Sequence, residues 1–391
     1  MKRRPAALLA LAAALLLAAC EEAPRSDGES GAHPSRAIST SSTDADGSSD
    51  PTVITEGIGS GPEWRLVHDW ARNDPAAGFG LASESLTVIH QHSPDGDVLR
   101  VEDRLGVNVL VQEAKPEWMI QETWISAHYV LAEYSNLAED QISLDAFKIE
   151  GGEVTHLDMS NTNRRYLGPE LAFFGDRIAW ASGVPDDHMC VGVTDLVADE
   201  ARTLECVAPG LIIGDLALDG DTVVFSVLSK PRSFERRCKS IMIINLQGRH
   251  DRTAEREIAS RSDCDAWNAV PLPGGVAWDV TDPNMGDIMN ADGFAWLEGH
   301  TYALGRIYTD SEVVCGGRLF WTDAVNEATT PFMWDLKSPT FQRALDFPDD
   351  KSQSATALKC ADDRFVSTRL EDIGGRNEHL RLFALDTREL Q

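Results

Sequence analysis

Apolar residues in this chain gather in short runs and not in helical stripes. LTVIH (86–90), YVLAEY (129–134), RIAWAS (177–182), TVVFSV (222–227), SIMIINL (240–246) and LRLFAL (380–385) are rich in β-branched and aromatic residues, and clusters of Gly, Asp, Asn and Pro separate them. Short runs of this kind between turn-formers predict strands. The globular part lacks the 3.6-residue period of amphipathic helices, so the pattern predicts an all-β chain.

The runs also repeat. FGDRIAWA (174–181) is a tight acidic turn followed by a strand, and DGDTVVFS (219–226), PGGVAWDV (273–280), CGGRLFWT (315–322) and CADDRFVS (360–367) restate it, with weaker echoes in AHYVLAEY (127–134) and ESLTVIH (84–90). The turn residues Ser85, His128, Asp176, Asp221, Gly275, Gly317 and Asp363 stand 42 to 54 residues apart. Four-stranded propeller blades repeat at about that period, ~40–50 residues. A further apolar strand and turn follows in most repeats, as in ISLDAFKIEGGE, VGVTDLVADEA, IMIINLQGRH, PFMWDLKSPT and LRLFALDTRE. These read as third strands entering a hairpin.

The expectation is therefore a β-propeller of seven four-stranded blades over residues 62–391, with six or eight left open by the weakness of the first two repeats. Trp64–Trp70 (WRLVHDW) is expected to supply the outer strand of the last blade. Closing the ring in that way leaves no unpaired sheet edge. The pattern resembles, diffusely, the TolB-like and WD-repeat-like propellers of secreted bacterial proteins, without the Gly-His and Trp-Asp dipeptides of the WD family.

The N-terminus has a different character. Lys2, Arg3 and Arg4 precede an apolar run from Ala6 to Leu17, the layout of a signal peptide over residues 1–19. Leu17-Ala18-Ala19-Cys20 resembles the bacterial lipobox, and the resemblance implies cleavage before Cys20 and acylation of its thiol, palmitate included. Residues 20–61 hold the lipidated Cys and a tract rich in Ser, Asp, Gly and Pro. Such a composition cannot bury enough surface to offset its ordering entropy, so it is expected to be a disordered tether. The address implied is the cell envelope, on the outer face of the cytoplasmic membrane or, where the cell has one, at the outer membrane.

Six cysteines remain beside Cys20, an even number that favours disulfides in an exported chain. Cys190 and Cys206 are equidistant from Ala198 at the tip of one hairpin, and Cys238 and Cys264 from Asp251 in the next repeat. Antiparallel pairing would set each pair opposite. Cys315 and Cys360 occupy the same position in adjacent repeats, so a bridge between blades is expected there.

Formal charge is −28, and more negative once the signal peptide leaves. A surface of that sign repels phosphate backbones, which excludes nucleic acid as a natural partner. Two loops stand out as candidate binding sites. Lys230–Lys239 concentrates Lys230, Arg232, Arg236, Arg237 and Lys239 against one acid, while Thr281–Gly293 carries Asp282, Asn284, Asp287, Asn290 and Asp292. The second set offers hard oxygens of the kind calcium takes, yet it misses the EF-hand spacing. His90 and His92, two apart and followed by Asp95 and Asp97, could ligate zinc or copper. Trp180, Trp278 and Trp321 end the repeated strand and are expected to pack between blades. Trp118, Trp124, Trp296 and Trp334 sit in less regular surroundings where stacking on a ligand is conceivable.

No nucleophile, P-loop or dinucleotide fingerprint is found in a fitting context, and no cofactor is implied. These observations point to a lipid-anchored binding or scaffold module for a protein, peptide or glycan. The rival is a propeller-fold hydrolase or lyase holding a divalent metal at the channel mouth, with Asp282 and Asp287 as its ligands.

Overall fold

The computed structural model describes residues 51–390 apart from 58–60, 72–73, 75–76, 93–95, 137–140, 160–166, 185–187, 230–238, 248–257, 260–265, 282–289, 324–329, 346–352, 356–357 and 373–378. The proposed signal peptide, Cys20, the tether up to Ser49 and the Cys238–Cys264 pair lie outside the described residues. Within them the chain is all β, with one 3-10 turn at Thr387–Glu389.

Successive antiparallel meanders account for nearly every strand. The first four sheets have four strands each and follow one another along the chain: Phe79–Ala82 to Asn108–Glu113, Met119–Ile125 to Glu153–Leu157, Leu167–Phe174 to Glu200–Cys206, and Leu211–Asp219 to Ile258–Ala259. Two further meanders, Ala266–Leu272 to His300–Tyr308 and Val313–Cys315 to Thr340–Arg343, join into one ten-stranded sheet. Their junction is a single pairing, Ile307 with Asp323. The last sheet comprises Gln353–Ala355, Lys359–Ala361, Phe365–Asp372 and His379–Asp386, and its outer neighbour is Arg65–Ala71, paired antiparallel with His379–Asp386.

FGDRIAWA is the turn and second strand of the third sheet. The turn glycines explain its form, since Gly175 and Gly220 take φ of 63° and 55°, values an L-residue reaches only at a cost. First strands of consecutive sheets touch: Leu167–Phe174 with Leu211–Asp219, that strand with Ala266–Leu272, Ala266–Leu272 with Val313–Cys315, and that strand with Lys359–Ala361. Lys359–Ala361 in turn touches Phe79–Ala82, the first strand of the first sheet.

Apolar side chains fill the space between neighbouring sheets. Tyr129 and Leu131 of the second sheet pack with Ile178 and Trp180 of the third, and Val224 and Ile241 of the fourth with Val276 and Trp278 of the next. Trp321 and Trp334, each 1% exposed, sit in one cluster with Leu304 and Phe332. Each such burial is worth roughly 1.5–3 kcal/mol. Trp334 is thus core, with its indole N–H donated to Ser338 O at 2.7 Å, and not a stacking platform.

Two bridges are present as the spacing implies, Cys190–Cys206 across paired strands and Cys315–Cys360 between sheets. One boundary moves. The compact unit begins at Asp50, because Thr52–Val53 and Thr55–Glu56 pair parallel with His300–Tyr308 and Thr340–Arg343. Ile54, 4% exposed, enters the core between them. Composition assigned these residues to the tether, but a single buried isoleucine in an extended segment suffices to dock it.

Candidate functional site

The site is built from irregularities that recur in the first strands. Four of these strands lose register opposite their partners: between Ile120 and Glu122, Leu167 and Leu171, Gly214 and Ala217, and Trp267 and Val270. A polar residue lies in or beside each irregularity: Gln121 in the first, with Glu122 next to it in register, then Glu170, Asp215 and Asn268. Asp215 and Asn268 adopt positive φ of 50°, and Asp310, ahead of the next first strand, 62°. Bulges re-aim side chains, and backbone strain of this kind clusters at functional sites.

A second row comes from the paired strands, where the residue after the aromatic or aliphatic end of the repeat is polar in most sheets: His90, Glu133, Ser226, Asp279 and Thr322. The two rows meet. Glu122 lies directly opposite Glu133. The Ser226 hydroxyl donates to Asp215 Oδ2 at 2.8 Å, and the Asn268 amide to Asp279 Oδ2 at 2.7 Å. The same Asp279 oxygen accepts the Asp310 backbone N–H at 3.2 Å.

Electrostatics show that the rows of different sheets face one another. Asp310 keeps contact with solvent, but crowding by protein strips much of its hydration, and the charges of Glu122, Asp279 and Asp215 add to this, so its carboxyl is pushed up to about 6. Those three acids belong to three different sheets. Burial, then Glu122 and Glu170, raise Glu133 to about 7. Glu312, 5% exposed and without a side-chain partner, is held well above the usual carboxylate range by burial first and Asp279 second. Against these acids stands Lys359, which pairs with Glu122. Arg369 is turned to the Gly78 carbonyl at 3.2 Å and lies over the Phe79 ring. The site can therefore hold cations, and its acids can exchange protons near neutrality.

The residues singled out from sequence are placed differently. Lys230, Arg232, Arg236, Arg237, Asp95, Asp282, Asn284 and Asp287 lie outside the described residues. Lys239 begins the strand Lys239–Asn245. Asn290 opens a strand, and Asp292 is exposed and faces Arg306 at 3.7 Å. His90 and His92 do come together, and Asp97 joins them. His90 is buried, and lost hydration first and the His92 charge second lower it to about 4, against the opposing pull of Asp97.

The acidic rows went unread, although the signal exists. Glu122, Glu170 and Asp215 each stand six residues ahead of the aligned turn residue, a polar position in an otherwise apolar strand.

No protein-family model matches this chain, and no curated protein sequence does. Solved structures do resemble it. A prolyl endopeptidase superposes with a TM-score of 0.52 at 13% identity, over 80% of this chain, which spans only 47% of that enzyme. The β-propeller domain of the trilobed protease of Pyrococcus furiosus, described as an open velcro topology, gives 0.51 at 10% identity, over 78% of this chain and 94% of that one. TolB of Acinetobacter baumannii gives 0.41 at 10% identity, over 66% and 62%. At these identities the likeness speaks for the fold, a β-propeller.

Proposed function

We propose that this chain is a lipid-anchored extracytoplasmic propeller that binds a cationic segment, a Lys- or Arg-bearing peptide or protein loop, at the acidic end of its channel. The observation that carries the reading is the convergence of Glu122, Glu133, Glu170, Asp215, Asp279, Asp310 and Glu312 with Lys359 as their paired counter-charge. Carboxylates held this close repel one another, and an incoming ammonium or guanidinium relieves that repulsion while forming charge-assisted hydrogen bonds. Seven blades belong to the same proposal, counting the ten-stranded sheet as two. So does closure of the ring by Arg65–Ala71 on His379–Asp386, which the contact of Lys359–Ala361 with Phe79–Ala82 supports. A signal peptide over residues 1–19, acylation of Cys20 and a tether behind it would set this mouth off the membrane surface.

Fluorescence anisotropy with a labelled Lys/Arg-rich peptide and its Glu-rich counterpart tests the binding claim. The basic peptide alone should bind, more weakly as salt rises, and the triple variant Glu133→Gln, Glu170→Gln, Asp310→Asn should lose at least about tenfold, roughly 1.4 kcal/mol. Equal binding of both peptides, or of a neutral glycan in preference to either, would reject it. A second reading, hydrolase or lyase, is favoured by the same carboxylates, two of which titrate near neutrality, where general acid–base catalysts work best. Turnover of a peptide or glycan substrate that disappears with Glu133→Gln would select it.

A further inference from the structure

We propose that His90, His92 and Asp97 form a binding site for a divalent transition-metal ion of the zinc class. His90 is the penultimate residue of the strand Leu86–Gln91, His92 follows just beyond it, and Asp97 immediately precedes Val98–Asp103. The three therefore sit on the two sides of one strand-to-strand connection. One potential ligand atom from each lies within 4.8 Å of the others. Asp97 is central: its Oδ1 is 2.7 Å from His92 Nδ1 and its Oδ2 3.5 Å from His90 Nε2. The imidazole rings meet edge to face at 4.2 Å between centroids.

Two further observations point to a ligand here, beyond ordinary His–Asp contacts. The His90 side chain is 6% exposed, and its buried Nε2 has no hydrogen-bond partner. A nitrogen sealed from water and aimed at a carboxylate it does not properly reach is what a site shaped around an intervening atom looks like. Second, Asp97 is anchored from behind. Its Oδ2 accepts the Ile120 backbone N–H at 2.7 Å, and its own carbonyl accepts Ala114 N–H at 2.8 Å. Metal-ligating carboxylates are characteristically oriented by such outer hydrogen bonds.

The donor set selects the ion. Two imidazoles and a carboxylate suit zinc, copper or nickel and not calcium or magnesium, which take oxygens. Around a tetrahedral zinc with bonds of about 2.0–2.2 Å, ligand atoms stand roughly 3.3–3.6 Å apart: His90 Nε2 and Asp97 Oδ2 already have that spacing at 3.5 Å, while His92 Nδ1, hydrogen-bonded to Asp97 Oδ1 at 2.7 Å, must shift to admit the ion. His92, with its side chain 47% exposed, is the member free to rotate inward. Three protein ligands leave a coordination position for water or a ligand group, the arrangement of reactive rather than purely structural zinc sites. The site is independent of the cationic-ligand reading, because Zn²⁺ alone is its probe.

The test uses the full chain, stripped with chelator and titrated with Zn²⁺ by calorimetry, with Co²⁺ as spectroscopic reporter. One equivalent should bind with micromolar or tighter affinity, Co²⁺ should give the intense visible bands of low-coordinate nitrogen–oxygen ligation, and millimolar Ca²⁺ or Mg²⁺ should not compete. His92→Ala should weaken binding at least tenfold while leaving the metal-free melting curve unchanged, since the side chain is half exposed; His90→Gln should do the same to affinity. His68→Ala and His156→Ala, at histidines with carboxylate neighbours elsewhere, should leave it unaltered. Absence of stoichiometric Zn²⁺ binding, or binding that survives His92→Ala intact in a folded protein, overturns the proposal.

Discussion

The two ends of the repeated hairpin carry the same carboxylates and treat them in opposite ways. At the turn end, outward-facing acids are matched. Burial alone would raise Asp221, but hydrogen bonds from Arg177 and Gln247, with the Arg177 charge, hold it below the usual range. Arg388 does the same for Asp386. Arg318 reaches the carbonyls of Thr387 and Leu390 at 3.2 and 2.7 Å, across from its own sheet to the last one. At the other end, Glu133, Asp310 and Glu312 face like charges and are driven upward. The exception is instructive: Asp219 belongs to the turn end, yet burial first and the Asp363 charge second lift it to about 6. Position relative to the first strands, more than residue type, decides whether an acid is matched. One end ties sheets together and the other stays charged and available.

The largest expected effect tests the tying. Cys315 and Cys360 flank two turns and close a loop of 45 residues, for which the loss of unfolded-state entropy corresponds to about 4 kcal/mol. Replacing both by Ser should lower urea-denaturation stability by about that amount. Removing Cys190–Cys206, a loop of 16, should cost nearer 3 kcal/mol. A larger loss from the shorter loop would mean that the bridge between sheets is not what holds the turn end.

A smaller effect, of the opposite sign, tests the open end. Burial first, then the Glu122 and Glu170 charges, push the Glu133 carboxyl up to about 7 from its ordinary 4.5. Between those pH values the folded state holds the extra proton, so stability falls as pH rises through them. Asp310 and Asp219, near 6, and Glu312 act in the same direction. His90, lowered to about 4, acts the other way below pH 6.5, and four carboxyls outweigh one imidazole. Thermal or urea stability should therefore decline from about pH 5 to pH 8. Glu133→Gln should flatten the slope, matching wild type at about pH 4.5 and exceeding it at pH 8 by on the order of 1–2 kcal/mol after allowance for solvent screening. An unchanged slope would remove Glu133 from the charged cluster. A cation bound there should in turn release protons, and its affinity should rise over the same interval.

How much of this was legible in the sequence follows the same division. The turn end announces itself, because Gly175, Gly220 and Gly274 at positive φ require specific residues at fixed places, and Cys190 and Cys206, symmetric about a hairpin tip, are bridged across it. The strand Trp64–Trp70 follows from its place ahead of the first repeat and from the last repeat's lack of an outer strand, in near agreement with Arg65–Ala71. The open end was hidden. Glu170 and Asp215 keep a fixed place six residues ahead of the turn residue, but each alone reads as an ordinary charge at a strand margin, and only register reveals that several of them meet. Loops chosen for dense charge drew attention instead, and the one described acid among their exposed candidates, Asp292, answers to Arg306. Convergence across sheets far apart in sequence comes from how those sheets pack on one another, which local pattern does not encode.

The smallest effect bears most directly on the contrast. Arg177 contacts Asp221 of the neighbouring sheet at 2.5 Å and donates to the Gly220 carbonyl at 3.4 Å, with about a third of its side chain exposed. Ion pairs so placed contribute little, about 0.2–1 kcal/mol. Arg177→Met keeps the aliphatic stem and should reduce stability by less than about 1 kcal/mol, with a smaller loss in high salt, where the pair is already screened. It should leave binding of the basic peptide unchanged, since Asp221 lies at the other end of its hairpin. If instead the freed Asp221 raised the affinity for that peptide, the turn end too would be a cationic surface, and its matched acids would be a suppressed copy of the open ones.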